Sequence, residues 1–175
     1  MRGMIFTELF ELVEKKFGYD FLDDVIDDSK LPNDGAYAAT GNYSFDELLR
    51  IVVSISQRSN IPVPVLLEVF GENLFEKLIL IFSNFDKEMS ILDFIENVET
   101  YIHVEVKKLY PDVELPTFEI VSKTEEVLEF DYISKKKLHH LAKGLIIGAS
   151  KYLQQNVEVD LIENEVSVRI IVRKI

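Results

Sequence analysis

The chain contains three histidines, and one of them is placed where a single imidazole could bind a metal-containing cofactor. His103 lies late in a segment of helical periodicity, whereas His139 and His140 are adjacent in a later segment. One histidine cannot build a zinc site, which needs three or four convergent ligands. It can be the sole protein ligand of a haem iron, because the porphyrin supplies the other nitrogens. A satisfied core histidine is the commoner role, so His103 alone leaves both interpretations open.

A second group of polar side chains lies where a predicted strand ends and a helix is expected to begin. Tyr132, Ser134 and Lys136 bring a phenol, a hydroxyl and an ammonium to this junction, and Ser134 is a suitable N-cap. A helix N-terminus with such groups favours a carboxylate, and haem carries propionates that need a site of this kind. For Lys135 and Lys137 we prefer an ordinary solvated helix start.

Evidence for a catalytic site is weak. The acidic pairs Asp23/Asp24 and Glu125/Glu126 could act as general acids or bases. They fall in a short polar helix and in a turn, where solvated side chains are the better interpretation. The sequence has no nucleophile elbow, phosphate-binding loop or metal triad. We therefore expect that the protein is not an enzyme.

The composition limits the remaining classes of function. With 175 residues the chain is long enough for one domain with a sizeable core. Its formal net charge of −12 argues against nucleic acid and anionic membrane surfaces as partners. No apolar stretch approaches the roughly 20 residues of a membrane span, and the first residues lack the pattern of a signal peptide. Since there is also no cysteine, we expect a cytoplasmic protein without disulfides.

The apolar periodicity is helical over the first two thirds of the chain. A capping box of Ser44 and Glu47 begins one helix, and Pro62 and Pro64 open the next, which is apolar on most faces and should be buried. The pattern predicts helices at about 5–17, 19–28, 44–59, 62–82 and 90–110.

The last third changes to two-residue alternation. Residues 117–124 and 127–133 predict a hairpin, and two further strands flank a short turn near Asn164. A helix is predicted between the two pairs, from Ser134 to about Gln155. The expected fold class is α+β, with a helical N-terminal lobe at about 1–60 and a lobe with a four-stranded antiparallel sheet and helices at about 61–175.

The spacing of the polar groups resembles a family signature. His103, Pro116 and the segment YISKK at 132–136 follow one another as in the H-NOX family, the haem nitric oxide/oxygen binding domains, here of the stand-alone bacterial type. The similarity covers essentially the whole chain. It includes the MRGMIF start, the HVEVKKLYP end of the His103 helix and the segment GLIIGASKY.

The resemblance implies a non-covalent haem b between the two lobes. It assigns His103 as the iron ligand, Pro116 as a residue packed against the porphyrin, and Tyr132, Ser134 and Lys136 as the propionate site. The family usually has Arg at the last position. Lys136 keeps the charge but loses the planar fork, so we expect haem to be held less rigidly. The cysteine zinc site of some members is excluded here.

The distal positions that the resemblance assigns are all apolar. Leu141 stands where oxygen-binding members have a tyrosine donor, and Leu9 and Leu74 occupy the supporting positions. Further lining positions are Ile5, Leu78 and Leu145. Bound oxygen gains from a hydrogen-bond donor, whereas NO binds ferrous haem strongly without one. We therefore expect NO, and also CO, to bind while oxygen is excluded.

Two details of the later helix follow from the same match. His140 reaches the iron only if the match slips by one residue, and the match is continuous from Tyr132 to Gly144. We therefore expect His139 and His140 on the outward side of the helix. Gly144 and Gly148 predict a close approach of this helix to the sheet or to the porphyrin.

The resemblance also implies a signalling mechanism. NO weakens the iron–His103 bond from the opposite side, the porphyrin relaxes off Pro116, and the helical lobe rotates. A separate partner, a histidine kinase or a cyclic-dinucleotide enzyme, responds to the changed surface. Two alternatives stay open: a haem-free degenerate member acting as a protein-interaction domain, which Lys136 favours, and an oxygen-binding sensor.

Overall fold

Helices come first in the chain and an antiparallel sheet follows, as the periodicity predicts. The structure, a computed structural model, describes residues 1–81 and 88–175. It divides into two compact units, Met1–Phe70 and Gly71–Ile175. The predicted helical lobe at about 1–60 falls within the first unit. The end of the fourth predicted helix at Phe82 lies outside the described residues.

The first unit is helical, and the helix end at Gly18 and the helix start at Ser44 lie where the sequence predicts them. Gly18, with a φ of 91°, ends the first helix, and the predicted capping box is confirmed. The Asp46 N–H donates to Ser44 Oγ at 3.1 Å, and the Ser44 N–H donates to Glu47 Oε1 at 3.2 Å. The helices are α1 (Gly3–Phe17), α2 (Tyr19–Ser29) and α3 (Phe45–Ser59), followed by α4 (Val63–Ile81), which continues into the second unit.

The second unit contains the sheet, whose strand order is β1-β2-β4-β3 with antiparallel neighbours. The predicted α+β class and four-stranded sheet are thus confirmed. The elements after α4 are α5 (Ile91–Asn97), a π-helical segment (Val98–Ile102), α6 (His103–Leu109), β1 (Thr117–Lys123), β2 (Val127–Ile133), α7 (His139–Tyr152), β3 (Val157–Glu163) and β4 (Val168–Lys174).

The core of this unit lies on one face of the sheet. Alternate residues of the central strand β2, Leu128, Phe130 and Tyr132, are buried, as strand geometry requires of a half-buried strand. They belong to one cluster with Ala142 and Ile146 of α7. The sheet and α7 therefore pack against each other through a shared core.

Helix α7 begins later than the sequence predicts. Ser134 is not its N-cap. The N-cap residue is Leu138, directly before His139, and the Leu138 side chain makes no capping hydrogen bond. Ser134 Oγ instead accepts from the Lys136 N–H at 3.2 Å within a turn. A short hydroxyl side chain can satisfy a nearby backbone group in this way. Lys137 then adopts a φ of 48°, which is incompatible with a continuous helix.

Helix α4 is less buried than its composition suggests. Leu67, Phe70 and Leu74 are buried at helical spacing, whereas Val69 and Leu80 are exposed. The prediction of burial on most faces is therefore wrong, since one face carries most of the packing.

The close approach predicted at the glycines of α7 is made to α4 rather than to the sheet. A Cβ on Gly148 would lie 2.6 Å from Phe75 Cβ, and one on Gly71 would lie 2.3 Å from the Leu141 carbonyl oxygen and 3.0 Å from Gly144 Cα. Only glycine allows the two helices to come this close.

Candidate functional site

His103 is the first residue after the π segment, and its ring is held by a carboxylate. The side chain is buried, and the residue is 8% exposed. His103 Nδ1 lies 3.0 Å from Glu99 Oε2, one helical turn earlier. An anionic acceptor at Nδ1 favours the tautomer whose proton is on that nitrogen, which leaves the lone pair on Nε2. Burial lowers the pKa of His103, with Glu99 opposing the shift, so the ring favours the neutral form that can bind a metal.

Phe118 lies between the two groups that the sequence singled out. Its ring centroid is 5.4 Å from that of His103 and 5.9 Å from that of Tyr132. The Phe118 ring, on β1, also stacks on Phe130 of β2 at a centroid distance of 4.8 Å. The structure thus brings the imidazole and the phenol to the same aromatic residue. Sequence reasoning missed Phe118, although its position two residues after Pro116 at the start of a strand was a usable signal.

Glu99 is the second residue that sequence reasoning missed. Its Oε2 accepts from the Phe118 N–H at 3.1 Å in addition to contacting His103. A glutamate four residues before a histidine on one helix is a recognisable pair, because residues at this spacing are neighbours. No feature of the sequence indicated the hydrogen bond between Glu99 and Phe118 of β1.

Tyr132, Ser134 and Lys136 lie together on β2 and the turn that follows it. The buried Tyr132 hydroxyl hydrogen-bonds with the Ser134 side chain and the Leu138 backbone, and burial raises the pKa of Tyr132. The phenol is therefore neutral at ordinary pH and can donate a hydrogen bond.

Lys136 forms an ion pair with the carboxylate of Glu114. Its Nζ lies 3.0 Å from Glu114 Oε2; the Lys136 side chain is 18% exposed and that of Glu114 74%. The ammonium holds the pKa of Glu114 below its usual value through a hydrogen bond and charge attraction. In this arrangement the positive charge expected at a propionate is neutralised by an exposed carboxylate.

The apolar positions are distributed over both units. In the second unit Leu74 and Leu141 are buried, on helices that touch at Gly71, while Leu78 and Leu145 are half-buried. Pro116 is half-buried directly before β1. In the first unit α1 carries a buried Leu9 and a half-buried Ile5.

His139 contradicts its predicted outward position. It is 9% exposed, with Nε2 3.6 Å from Glu163 Oε1 and a buried Nδ1 for which the described residues provide no hydrogen-bond partner. Burial lowers the pKa of His139. His140 is half-buried. The outward prediction is wrong for His139 because the helix starts there, beside the end of β3, rather than a turn earlier.

A surface groove of about 210 Å³ lies elsewhere in the second unit. Its walls contain none of the predicted haem-binding residues, so it is distinct from the site above. The groove is lined by Glu72, Phe75, Glu76, Gly148, Lys151 and Tyr152.

Comparison with known proteins identifies the family. The family model described as Haem-NO-binding matches residues 2–161. The chain belongs to the H-NOX family. Proteins of this family are haem-based gas sensors. A search of the curated proteins found no match.

Several solved H-NOX structures share the whole fold. An Fe(II) unliganded H-NOX protein from K. algicida is 32% identical with a TM-score of 0.92, covering 100% of this chain and 97% of its own. One from Shewanella woodyi, bound to IWP-051 in the Fe(II)CO state, is 33% identical with a TM-score of 0.84, covering 100% and 95%. One from S. oneidensis in the Fe(II)NO state is 25% identical with a TM-score of 0.90, covering 100% and 99%.

Over residues 1–81 and 88–175, no helix combines the length and apolar character needed to cross a bilayer.

Proposed function

We propose that this H-NOX protein binds haem b non-covalently and senses nitric oxide at ferrous iron, with His103 as the iron ligand. The buried imidazole, fixed through Nδ1 by Glu99 and so presenting Nε2, is the observation that carries the proposal. The donor set fits the cofactor, because one neutral histidine is sufficient for haem. A bound haem would supply the open coordination position for a gas.

Residues at the end of β2 and in the turn after it would hold the propionates. Tyr132 on β2 and Ser134 in the turn would contribute hydroxyl groups, and Lys136 would contribute a charge that must leave Glu114 to do so. Pro116, at the entry to β1, would contact the porphyrin and limit its position.

The selectivity for NO would follow from the lack of polar groups at the distal positions. Leu74 and Leu141 are buried leucines that cannot donate to a bound gas, and the same is true of Leu9. Without a donor, oxygen loses stabilisation that NO and CO do not need. We therefore propose NO as the signal, CO as a further ligand, and no stable oxygen complex.

The test is the visible absorption spectrum of the purified protein, reduced, then exposed to air, then treated with NO. We expect a five-coordinate ferrous spectrum that shows no oxygen complex in air and shifts with NO. A stable oxygen spectrum would overturn the selectivity. No haem band even after reconstitution with haemin would overturn the sensor and favour a haem-free interaction domain, the alternative that the Lys136–Glu114 ion pair supports.

The output is proposed to pass to a separate enzyme. Family resemblance points to a histidine kinase or a cyclic-dinucleotide enzyme in the cytoplasm. The protein itself would act in signal transduction without catalysing a reaction.

Glu114→Gln is expected to strengthen haem binding slightly. The substitution removes the carboxylate that competes with a propionate for Lys136, and the gain is small because exposed ion pairs are weak. Haem affinity, measured by transfer to apomyoglobin, should rise by up to about fivefold. Glu119→Gln, an exposed substitution on β1, is the control. A lower affinity in Glu114→Gln would show that Glu114 itself supports the site.

A further inference from the structure

One carboxylate oxygen joins the helix that carries His103 to the first strand of the sheet. Glu99 Oε2 lies 3.0 Å from His103 Nδ1 and accepts from the Phe118 N–H at 3.1 Å. Phe118 is paired with Tyr132 in the β1–β2 register. The same atom therefore contacts the proposed iron ligand and the strand next to the proposed propionate site.

The backbone around Glu99 is adapted to this contact. Glu99 belongs to the π segment, and the His103 N–H donates to the Val98 carbonyl, five residues earlier, instead of to the usual fourth residue. The segment is wider than an α-helical turn, a feature that is frequent at functional sites. The side chain of Glu99 is one third exposed, so it is held by its two contacts and not by burial alone.

We propose that Glu99 is a positioning residue that orients the His103 ring and couples its movement to β1. This inference rests on the proposed role of His103 as the iron ligand. A displaced ring must lengthen or bend its contact to Glu99 Oε2, and the carboxylate then changes its contact to the Phe118 amide. The Phe118 ring, in edge contact with His103, receives the same displacement.

The contact also has an electronic consequence. A carboxylate that accepts from Nδ1–H makes the imidazole a stronger electron donor at Nε2, and loss of such an outer partner typically costs about 10–100-fold in metal affinity. Glu99 would therefore set both the orientation and the donor strength of the ligand.

The experiment compares Glu99→Gln and Glu99→Ala with the wild type and with Glu105→Gln. The control removes the same charge from α6 at a residue that pairs with Lys108. Two properties are measured: the iron–histidine stretching band of the reduced haem-loaded protein by resonance Raman, and hydrogen exchange of the Phe118 amide in the haem-free protein. The second measurement does not depend on haem binding.

We expect both Glu99 variants to lower the frequency of the iron–histidine band. Phe118 exchange should become about tenfold faster or more in Glu99→Ala, because hydrogen bonds to charged groups are among the stronger ones. Glu99→Gln, which keeps a neutral acceptor, should fall between Ala and wild type, and Glu105→Gln should resemble the wild type.

The outcomes separate the inference from the proposed function. If the wild type shows the band and Glu99→Gln and Glu99→Ala leave both band and exchange unchanged, the role of Glu99 is overturned while His103 remains the ligand. If only exchange changes, Glu99 is a structural contact and the positioning role is overturned. If the wild type shows no iron–histidine band, the proposed function fails and the positioning role fails with it.

Discussion

On the proposed function, His103→Gly is expected to remove the protein's ligand to the haem iron. The variant loses the only buried imidazole whose Nδ1 is held by a carboxylate among the described residues. Haem affinity should fall by more than the roughly 10–100-fold typical for the loss of an outer partner, because the ligand itself is absent. Haem content and the ferrous absorption spectrum of the purified variant measure the effect.

Added imidazole provides a specific rescue of this variant. It can occupy the space left by the side chain and restore a five-coordinate ferrous spectrum, but it cannot restore the link to the helix. NO should therefore no longer switch the activity of the partner enzyme. The control is His140→Gly, the same change at a half-buried histidine of α7. Normal switching in His103→Gly would contradict the proposed mechanism.

Phe130→Ala is expected to cause a large loss of stability. Phe130 is fully buried on β2 and stacks on Phe118, the residue between His103 and Tyr132. Truncating a buried phenylalanine typically lowers the free energy of unfolding by about 3–5 kcal/mol, through lost transfer free energy and the cavity left behind. Urea unfolding of the haem-free protein, followed by circular dichroism, measures the change.

A milder substitution protects this test against complete unfolding. Phe130→Leu keeps much of the volume and should lose less stability than Phe130→Ala. Val166→Ala, at a residue that is 86% exposed, should change the free energy of unfolding by less than about 0.5 kcal/mol. A loss below about 1 kcal/mol in Phe130→Ala would show that β2 does not carry the core.

Much of the fold was predictable because its signals are local. The capping box at Ser44 and the alternation on β2 depend on residues only a few positions apart. The start of α7 was not predictable in this way. Ser134 is a good N-cap by type, but its hydroxyl accepts from the Lys136 N–H within a turn. Serine suits both a helix N-cap and a turn of this kind. Which of the two forms therefore depends on the position at which the chain leaves β2.

For the candidate site, too, some features were predictable from the sequence and others only from the structure. His103 and Tyr132 could be named as candidates from residue type, and Pro116 from the family resemblance, and family membership supports the interpretation. The partners of these residues could not be named. Glu114 at Lys136 and the buried position of His139 follow from segments that meet only after folding.

The sequence by itself determined the helical and strand periods and the α+β class, since these depend on residue type and short spacing. It also supplied the candidate haem-binding residues, through residue type and family resemblance. The tertiary structure decided which groups surround them. Glu99 and Phe118 are 19 residues apart, yet one oxygen joins the Phe118 amide to the His103 ring. Such a contact depends on how the π segment packs against β1, and short-range periodicity carries no information about packing between distant segments.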